Sequence, residues 1–355
     1  MRGVRLPHRD QAARLVALVR GDEVAPADDD AFADAALFHN LAGFAVRAIE
    51  AGRWRPAGEV AARVRETHAE RTLVTGLLRL ELAACAETLA NACGAPPVVV
   101  KGPAVAARLY AGDPELRPYV DLDLVVPRER LRAAADALVA TRGFSLARGE
   151  RYFAADGEPW PGFAETFGHE LSLVRVAAAR TLLVELQWRM SDDPLGSALD
   201  HPALLAHASG SALLPAGAVA PDALDELLLL AVHLLHHEEP LVIWCEDIAR
   251  ARDALDDAGW DGAFERARER GLSWPLHEAL DRVAAVLGAD RERPEAKPRA
   301  GAMGALRSTS SLPVGVGVHV GRLATLGWRQ RATYVRRAAQ ASLARARTSR
   351  SSDSA

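Results

Sequence analysis

Two aspartates one residue apart, Asp121 and Asp123, stand inside a run that reads Val-Asp-Leu-Asp-Leu-Val-Val from Val120 to Val126. Successive side chains of an extended strand alternate faces, so both carboxylates project to one side while Val120, Leu122, Leu124 and Val126 project to the other. Like charges that close stay ionised together at high cost unless a cation sits between them, and a hard divalent ion with oxygen ligands is the usual solution. The pair reads as a site for magnesium or manganese. Taken alone it reads equally as an alternating surface strand with its acidic face in water. A second apolar run, Thr181 to Trp188, carries the single carboxylate of Glu185, and a charge there is expensive unless paired or metal-bound. Three carboxylates on two strands, Asp121, Asp123 and Glu185, are the minimal set for two-metal phosphoryl or nucleotidyl transfer.

Upstream, Val98 to Val100 leads into Lys101-Gly102-Pro103 and then a helical stretch. Glycine lets a backbone or ligand approach closely, proline in a first helical turn sacrifices no hydrogen bond, and the open amides of such a turn attract phosphate. Lys101 adds a point charge suited to a triphosphate; an ordinary strand-to-helix turn with a solvated lysine fits the same residues. Arg117, four residues before Asp121, is placed either to contact a phosphate or ribose or to brace the acidic pair. His169 and Glu170 begin a strand and alternate faces, so that either one is placed to flank the site. His233 and His237, four apart, share one helix face, with Trp244 and Asp247 on the next helix. No glutamate completes an HExxH pattern, so a zinc hydrolase is excluded. These histidines read either as packed groups with Asp247 as their structural partner or as acceptor-side contacts.

Elements must bring these residues together. Residues 1–95 read as helices: Leu15, Leu18 and Val19 up to Gly21; a stretch from Asp28 carrying Leu37, Leu41, Phe44 and Ala48 up to Gly52; and a long segment, Glu59 to Cys93, with a kink expected near Gly76. Residues 96–190 mix both types, with strands at 98–100, 120–126, 144–147, 169–174 and 181–188 and helices at 103–110 and 128–141. Residues 191–290 return to helices at 222–237, 241–258, 262–270 and 274–287. Residues 291–355 are rich in Pro, Gly, Ser and Arg and read as a partly disordered tail with one helix around 332–346.

The block Lys101-Gly102, then Tyr110, then Arg117-Pro118-Tyr119-Val120-Asp121-Leu122-Asp123-Leu124-Val125 resembles the family of uncharacterised nucleotidyltransferases, a branch of the polymerase-β-type superfamily. Glu185-Leu186-Gln187-Trp188 is similar to that family's later strand, and His233, His237, Trp244 and Asp247 to its helical histidine pair followed by Trp and Asp. The resemblance spans about residues 30 to 260. It implies an α+β fold with a polymerase-β-like core and a small mixed sheet between helical segments. It implies transfer of a nucleoside monophosphate from a nucleoside triphosphate to a hydroxyl or amine, with Asp121, Asp123 and Glu185 on Mg2+ or Mn2+, Lys101, Gly102 and Arg117 on the nucleotide, and His233, His237 and Asp247 toward the acceptor. Two departures stand out. Pro103 follows Gly102 where the superfamily has serine, and Gln187 stands where the family has histidine. Both favour the rival reading, a nucleotide-binding or protein-interaction module without turnover; the complete acidic trio opposes it.

The 355 residues, 49% apolar and 25% charged, suffice for more than one domain of ordinary size and exclude a disordered chain. The longest apolar run, around Leu227 to Val232, is too short for a membrane span, and the opening MRGVRLPHRD lacks a secretory apolar stretch. Cys85, Cys93 and Cys245 show no metal-ligand spacing and suit buried free thiols, so a cytoplasmic protein without membrane attachment is expected. The net charge of −4 conceals an acidic body and a basic end: from Arg291 onward stand 13 Lys or Arg against three acids. Those arginines allow contact with nucleic acid but lack interleaved aromatics beyond Trp328 and Tyr334, which favours a solvated tail.

Overall fold

A computed structural model of the chain describes residues 6–25, 28–147, 168–191, 194–210, 214–237, 239–288 and 335. The expected tail, apart from Val335, lies outside them. The described elements are α1 (Ala12–Arg20), α2 (Asp29–Phe38), α3 (Ala42–Glu50), α4 (Gly58–Cys93), β1 (Val98–Val100), α5 (Gly102–Leu109), β2 (Asp121–Val125), α6 (Leu131–Arg142), β3 (Ser145–Leu146), β4 (Glu170–Ala177) and β5 (Arg180–Gln187). Six more helices follow: α7 (Pro194–Ser197), α8 (His201–Leu205), α9 (Ala223–His236), α10 (Val242–Asp253), α11 (Asp257–Glu269) and α12 (Ser273–Leu287).

The sheet is mixed, ordered β1-β2-β5-β4-β3. β1 runs antiparallel to β2, β2 parallel to β5, and β5 antiparallel to β4. Because paired residues share a face, Val99, Leu122, Leu124, Val184, Leu186 and Leu171 point to one side, where they pack with Leu78, Leu82 and Leu89 of α4 and Leu131 and Leu138 of α6. The opposite face is divided. Val98, Val100 and Val125 join the core built by the N- and C-terminal helices, and beside them that face carries Asp121, Asp123, Glu185, Gln187, Glu170 and Ser172, with Leu183 and Val174 beyond. A sheet between two apolar clusters thus holds its charged groups at a defined edge of one of them.

Local chemistry explains the main departures from the sequence reading. The stretch from Asp28 to Gly52 forms two helices, with Asp28 capping α2 through the amide of Ala31 at 3.1 Å. The chain breaks at Asn40, whose φ of 60° lies in the left-handed region that asparagine tolerates. The break puts its side-chain amide to work, receiving Arg71 Nη1 at 2.8 Å and donating to the Pro118 carbonyl at 3.3 Å. α4 runs from Gly58 to Cys93 as one helix of 36 residues through Gly76, about 54 Å at the helical rise. Strands β4 and β5 reach further toward each other than expected, closing through Ala178 and Ala179, whose φ values are 49° and 59°. Two successive residues with positive φ make the mirror-image turn that suits hairpin twist. Alanine gives no sequence signal for it.

Candidate active site

β1 is followed by Lys101, whose φ of 54° and ψ of −125° reverse the chain into α5. The next residue has no room for a side chain: a Cβ on Gly102 would lie 2.6 Å from Tyr119 Cβ. Tyr119 therefore packs directly on the turn, which explains the glycine in physical terms. The segment leading into β2 is fixed from several sides. Tyr119 exchanges two 3.0 Å hydrogen bonds with Thr75 of α4, its amide donating to Oγ1 and its carbonyl accepting from it. Arg117 donates from Nε to both oxygens of Asp247 on α10, at 3.0 and 2.9 Å, and from Nη1 to the Pro118 carbonyl at 3.1 Å. Tyr110 donates to Asp247 Oδ1 at 2.9 Å. Burial works against the charge of Arg117, but Asp247 more than compensates and raises its pKa above the ordinary value.

Beyond this brace, β2 delivers Asp121 and Asp123 to one face. The parallel register sets Asp123 opposite Glu185, and the antiparallel register sets Ser172 opposite Glu185 and Glu170 opposite Gln187. Each of Asp121, Asp123 and Glu185 offers an oxygen within 4.8 Å of the others. Lys101 Nζ donates to Asp123 Oδ1 at 2.7 Å. Gln187, fully buried, donates from Nε2 to the same Asp123 oxygen at 2.5 Å and to Glu170 Oε2 at 3.4 Å. His169 Nε2 lies 3.2 Å from Glu170 Oε2.

The electrostatics follow from crowding. Burial and then the charge of Asp123 push Asp121 up to about 6. Burial, Asp123 and Glu170 push Glu185 up to about 9. Glu170 goes the other way, to about 2: burial opposes its charge, and the hydrogen bond and charge of His169 win. Glu185 accordingly holds a proton at neutral pH and donates it in a hydrogen bond to the Glu170 carboxylate. A group of oxygens that must retain a proton to coexist is short of positive charge. A divalent cation supplies that charge, and the all-oxygen donor set fits a hard ion.

The histidines of α9 line the side of this group. His233 and His237 flank Trp244, with ring centroids 4.9 and 4.4 Å away, and His236 sits 5.3 Å from His169. Burial first, then Lys101 and the neighbouring imidazoles, holds His233 well below its ordinary pKa; burial and His236 bring His237 down to about 4. His233 and His237 are thus neutral at pH 7 and form an aromatic wall with Trp244. Asp247 does not pair with them as expected but spends both oxygens on Arg117 and Tyr110. Arg117 is 7% exposed and engaged by that carboxylate rather than by Asp121 or Asp123.

Three participants were not singled out in the sequence, or only loosely: His236, Gln187 as the bridge between Asp123 and Glu170, and Thr75 as the clamp on Tyr119. The doubled histidine at 236–237 is the one local signal for the first; the others emerge only from strand register and helix packing.

Neither a curated protein nor a solved structure matches the chain. A family model described as uncharacterised nucleotidyltransferase matches residues 25–288, a span that takes in one apolar cluster whole, the other apart from Leu15, Leu18 and Val24, and the acidic face between Lys101 and Trp244, and the chain therefore belongs to that family of nucleotidyltransferases.

Proposed function

We propose that the protein is a magnesium- or manganese-dependent enzyme that moves a nucleoside monophosphate from a nucleoside triphosphate to a hydroxyl or amine of an acceptor. The observation that carries this reading is the convergence of Asp121, Asp123 and Glu185 oxygens within 4.8 Å beside the Lys101-Gly102 turn. In this reading residues 96–190 form a polymerase-β-like core. Residues 1–95 and 191–290 are its helical flanks, and the acidic body leaves any nucleic-acid contact to the basic residues 291–355. Three free, buried cysteines support a reducing cytoplasmic setting.

Asp121, Asp123 and Glu185 hold the divalent ion, which when bound neutralises charge on the phosphates and favours the hydroxyl or amine as a nucleophile. Lys101 and the amides of the first turn of α5 bind the triphosphate. Gly102 lets that turn approach it. Arg117, clamped by Asp247, braces the strand that carries the aspartates. Glu185 releases its proton to solvent before all three carboxylates can serve as ligands, while Glu170, held ionised beside it by His169, keeps its charge. His233, His237 and Trp244 offer a neutral, partly aromatic surface to the acceptor, and Asp247 shapes that side from behind through Arg117. Catalysis of this kind is positioning and charge neutralisation, with little covalent work for the protein.

The test is release of pyrophosphate from each of the four ribonucleoside triphosphates with magnesium and a cell extract as acceptor source. Wild type should release it with at least one nucleotide and label an acceptor. Asp123→Asn should lower the rate by a hundredfold or more. Triphosphate binding without pyrophosphate release from any nucleotide would replace the enzyme by a binding module, the reading that Pro103 and Gln187 favour.

A further inference from the structure

The acidic face already carries a cation of the chain's own. Lys101 Nζ is 2.7 Å from Asp123 Oδ1, and the two side chains are 15% and 3% exposed. Glu170, ionised beside it, adds to the attraction on the ammonium. The same lysine is the N-cap residue of α5, so a single residue joins the carboxylates to the turn assigned above to the triphosphate. Its backbone conformation, φ 54° and ψ −125°, is one that L side chains rarely adopt, and it is what turns the lysine back across the sheet toward β2.

Resting on the nucleotidyl-transfer reading above, we propose that Lys101 is the exchangeable counter-ion of the site: its ammonium neutralises Asp123 until a divalent ion takes over that carboxylate, and it then moves to the triphosphate. A divalent ion and an ammonium on one carboxylate repel each other, so the metal must displace the lysine. A displaced ammonium in so dry a place needs another anion, and the nucleotide brings one. Metal without nucleotide strands the lysine; nucleotide without metal leaves Asp121, Asp123 and Glu170 short of positive charge. Each ligand therefore tightens the other, and by the same factor. Four flexible methylenes give Lys101 the reach for the exchange, which an arginine's planar fork would resist.

Manganese binding, read from the free-ion electron paramagnetic resonance signal on the full chain without nucleotide, tests the exchange. Lys101→Met and Lys101→Gln should bind manganese at least tenfold more tightly than wild type, because no internal cation competes. Asp123→Asn should abolish binding in every background. Equal or weaker binding in both Lys101 variants, still lost with Asp123→Asn, overturns the exchange and leaves the metal-site reading intact. Binding indifferent to Asp123→Asn removes the metal site and the exchange with it. A measurement on the unaltered protein covers the case in which the variants fail to fold. Lys101 and Lys297 are the only lysines of the sequence, so 15N-lysine labelling gives two ammonium resonances, assigned with Lys297→Arg. The Lys101 resonance should move when magnesium and inorganic tripolyphosphate are added together and shift far less with either alone. A resonance that stays in place under the combination overturns the exchange.

Discussion

Glu185→Gln in metal-free protein should raise stability at neutral pH, by an amount that grows with pH. Glu185 is raised from its ordinary 4.5 to about 9, so the folded protein holds a proton that the unfolded chain has released. For an acid shifted upward, the stabilising linkage is complete below the unfolded pKa, near 4.5, and is lost as pH climbs toward 9. Each pH unit in that window costs the wild type up to about 1.36 kcal/mol. At pH 7.5 the limit is about 4 kcal/mol, and partial exposure of the site reduces it to about 2–4 kcal/mol. Glutamine carries no proton to lose and still donates to Glu170. The variant should therefore melt about 4–8 °C above wild type at pH 7.5, with the gap closing toward pH 4.5. The assay is thermal unfolding by circular dichroism, with chelator, from pH 4.5 to 8.5. Saturating magnesium should then stabilise wild type, by about 2.7 kcal/mol at a hundred times its dissociation constant, and leave the variant nearly unmoved. Parallel pH profiles for the two proteins, or a variant less stable at pH 7.5, would refute the charge shortage attributed to the cluster.

Asp247→Ala strands the buried Arg117 and should cost about 3–5 kcal/mol in urea unfolding, with Arg117→Met in the same chain recovering a good part of it. Gly102→Ala drives a Cβ to within 2.6 Å of Tyr119; an overpacked contact of this kind costs about 1–3 kcal/mol, and triphosphate binding, followed by fluorescence titration, should weaken with it. Replacing Ala178-Ala179 by Asn-Gly suits the two positive φ values and should stabilise the hairpin by about 1 kcal/mol, seen as a higher urea midpoint with an unchanged slope.

The parts of the site that obey a local rule were legible in the sequence. Alternation alone puts Asp121 and Asp123 on one face, and Glu185 declares itself as the lone charge of an apolar strand. Lys101-Gly102-Pro103 reads as a strand-to-helix turn because glycine and proline have only a few uses there. What stayed hidden is set by contacts between distant segments. Nothing near Asp247 distinguishes a partner of Arg117 from a partner of His233, since both lie within a helix pair's reach. The role of Gln187 depends on the register that sets Glu170 opposite it, and a one-residue slip would have turned it to the other face. The break at Asn40 and the tight turn at Ala178 and Ala179 carry little signal in sequence, because asparagine tolerates a positive φ without requiring it and alanine does not favour one.

The parallel pairing of β2 with β5 has a consequence for how the protein comes to be competent. Gln187 grips Asp123 across 64 positions of chain, and Arg117 grips Asp247 across 130. Such pairings form late, because the entropy of closing long loops must be overcome before any contact rewards it. The β4–β5 hairpin joins near neighbours and β1 meets β2 across the helix α5, so both pairs can form early, each carrying only part of the acidic set. During folding, therefore, the aspartates exist before Glu185 reaches them and before α10 locks their supporting loop. On the proposed reading, a partly folded chain without the third carboxylate and the brace would not gather a divalent ion and a triphosphate into a reactive pair, and turnover would await closure of the whole sheet.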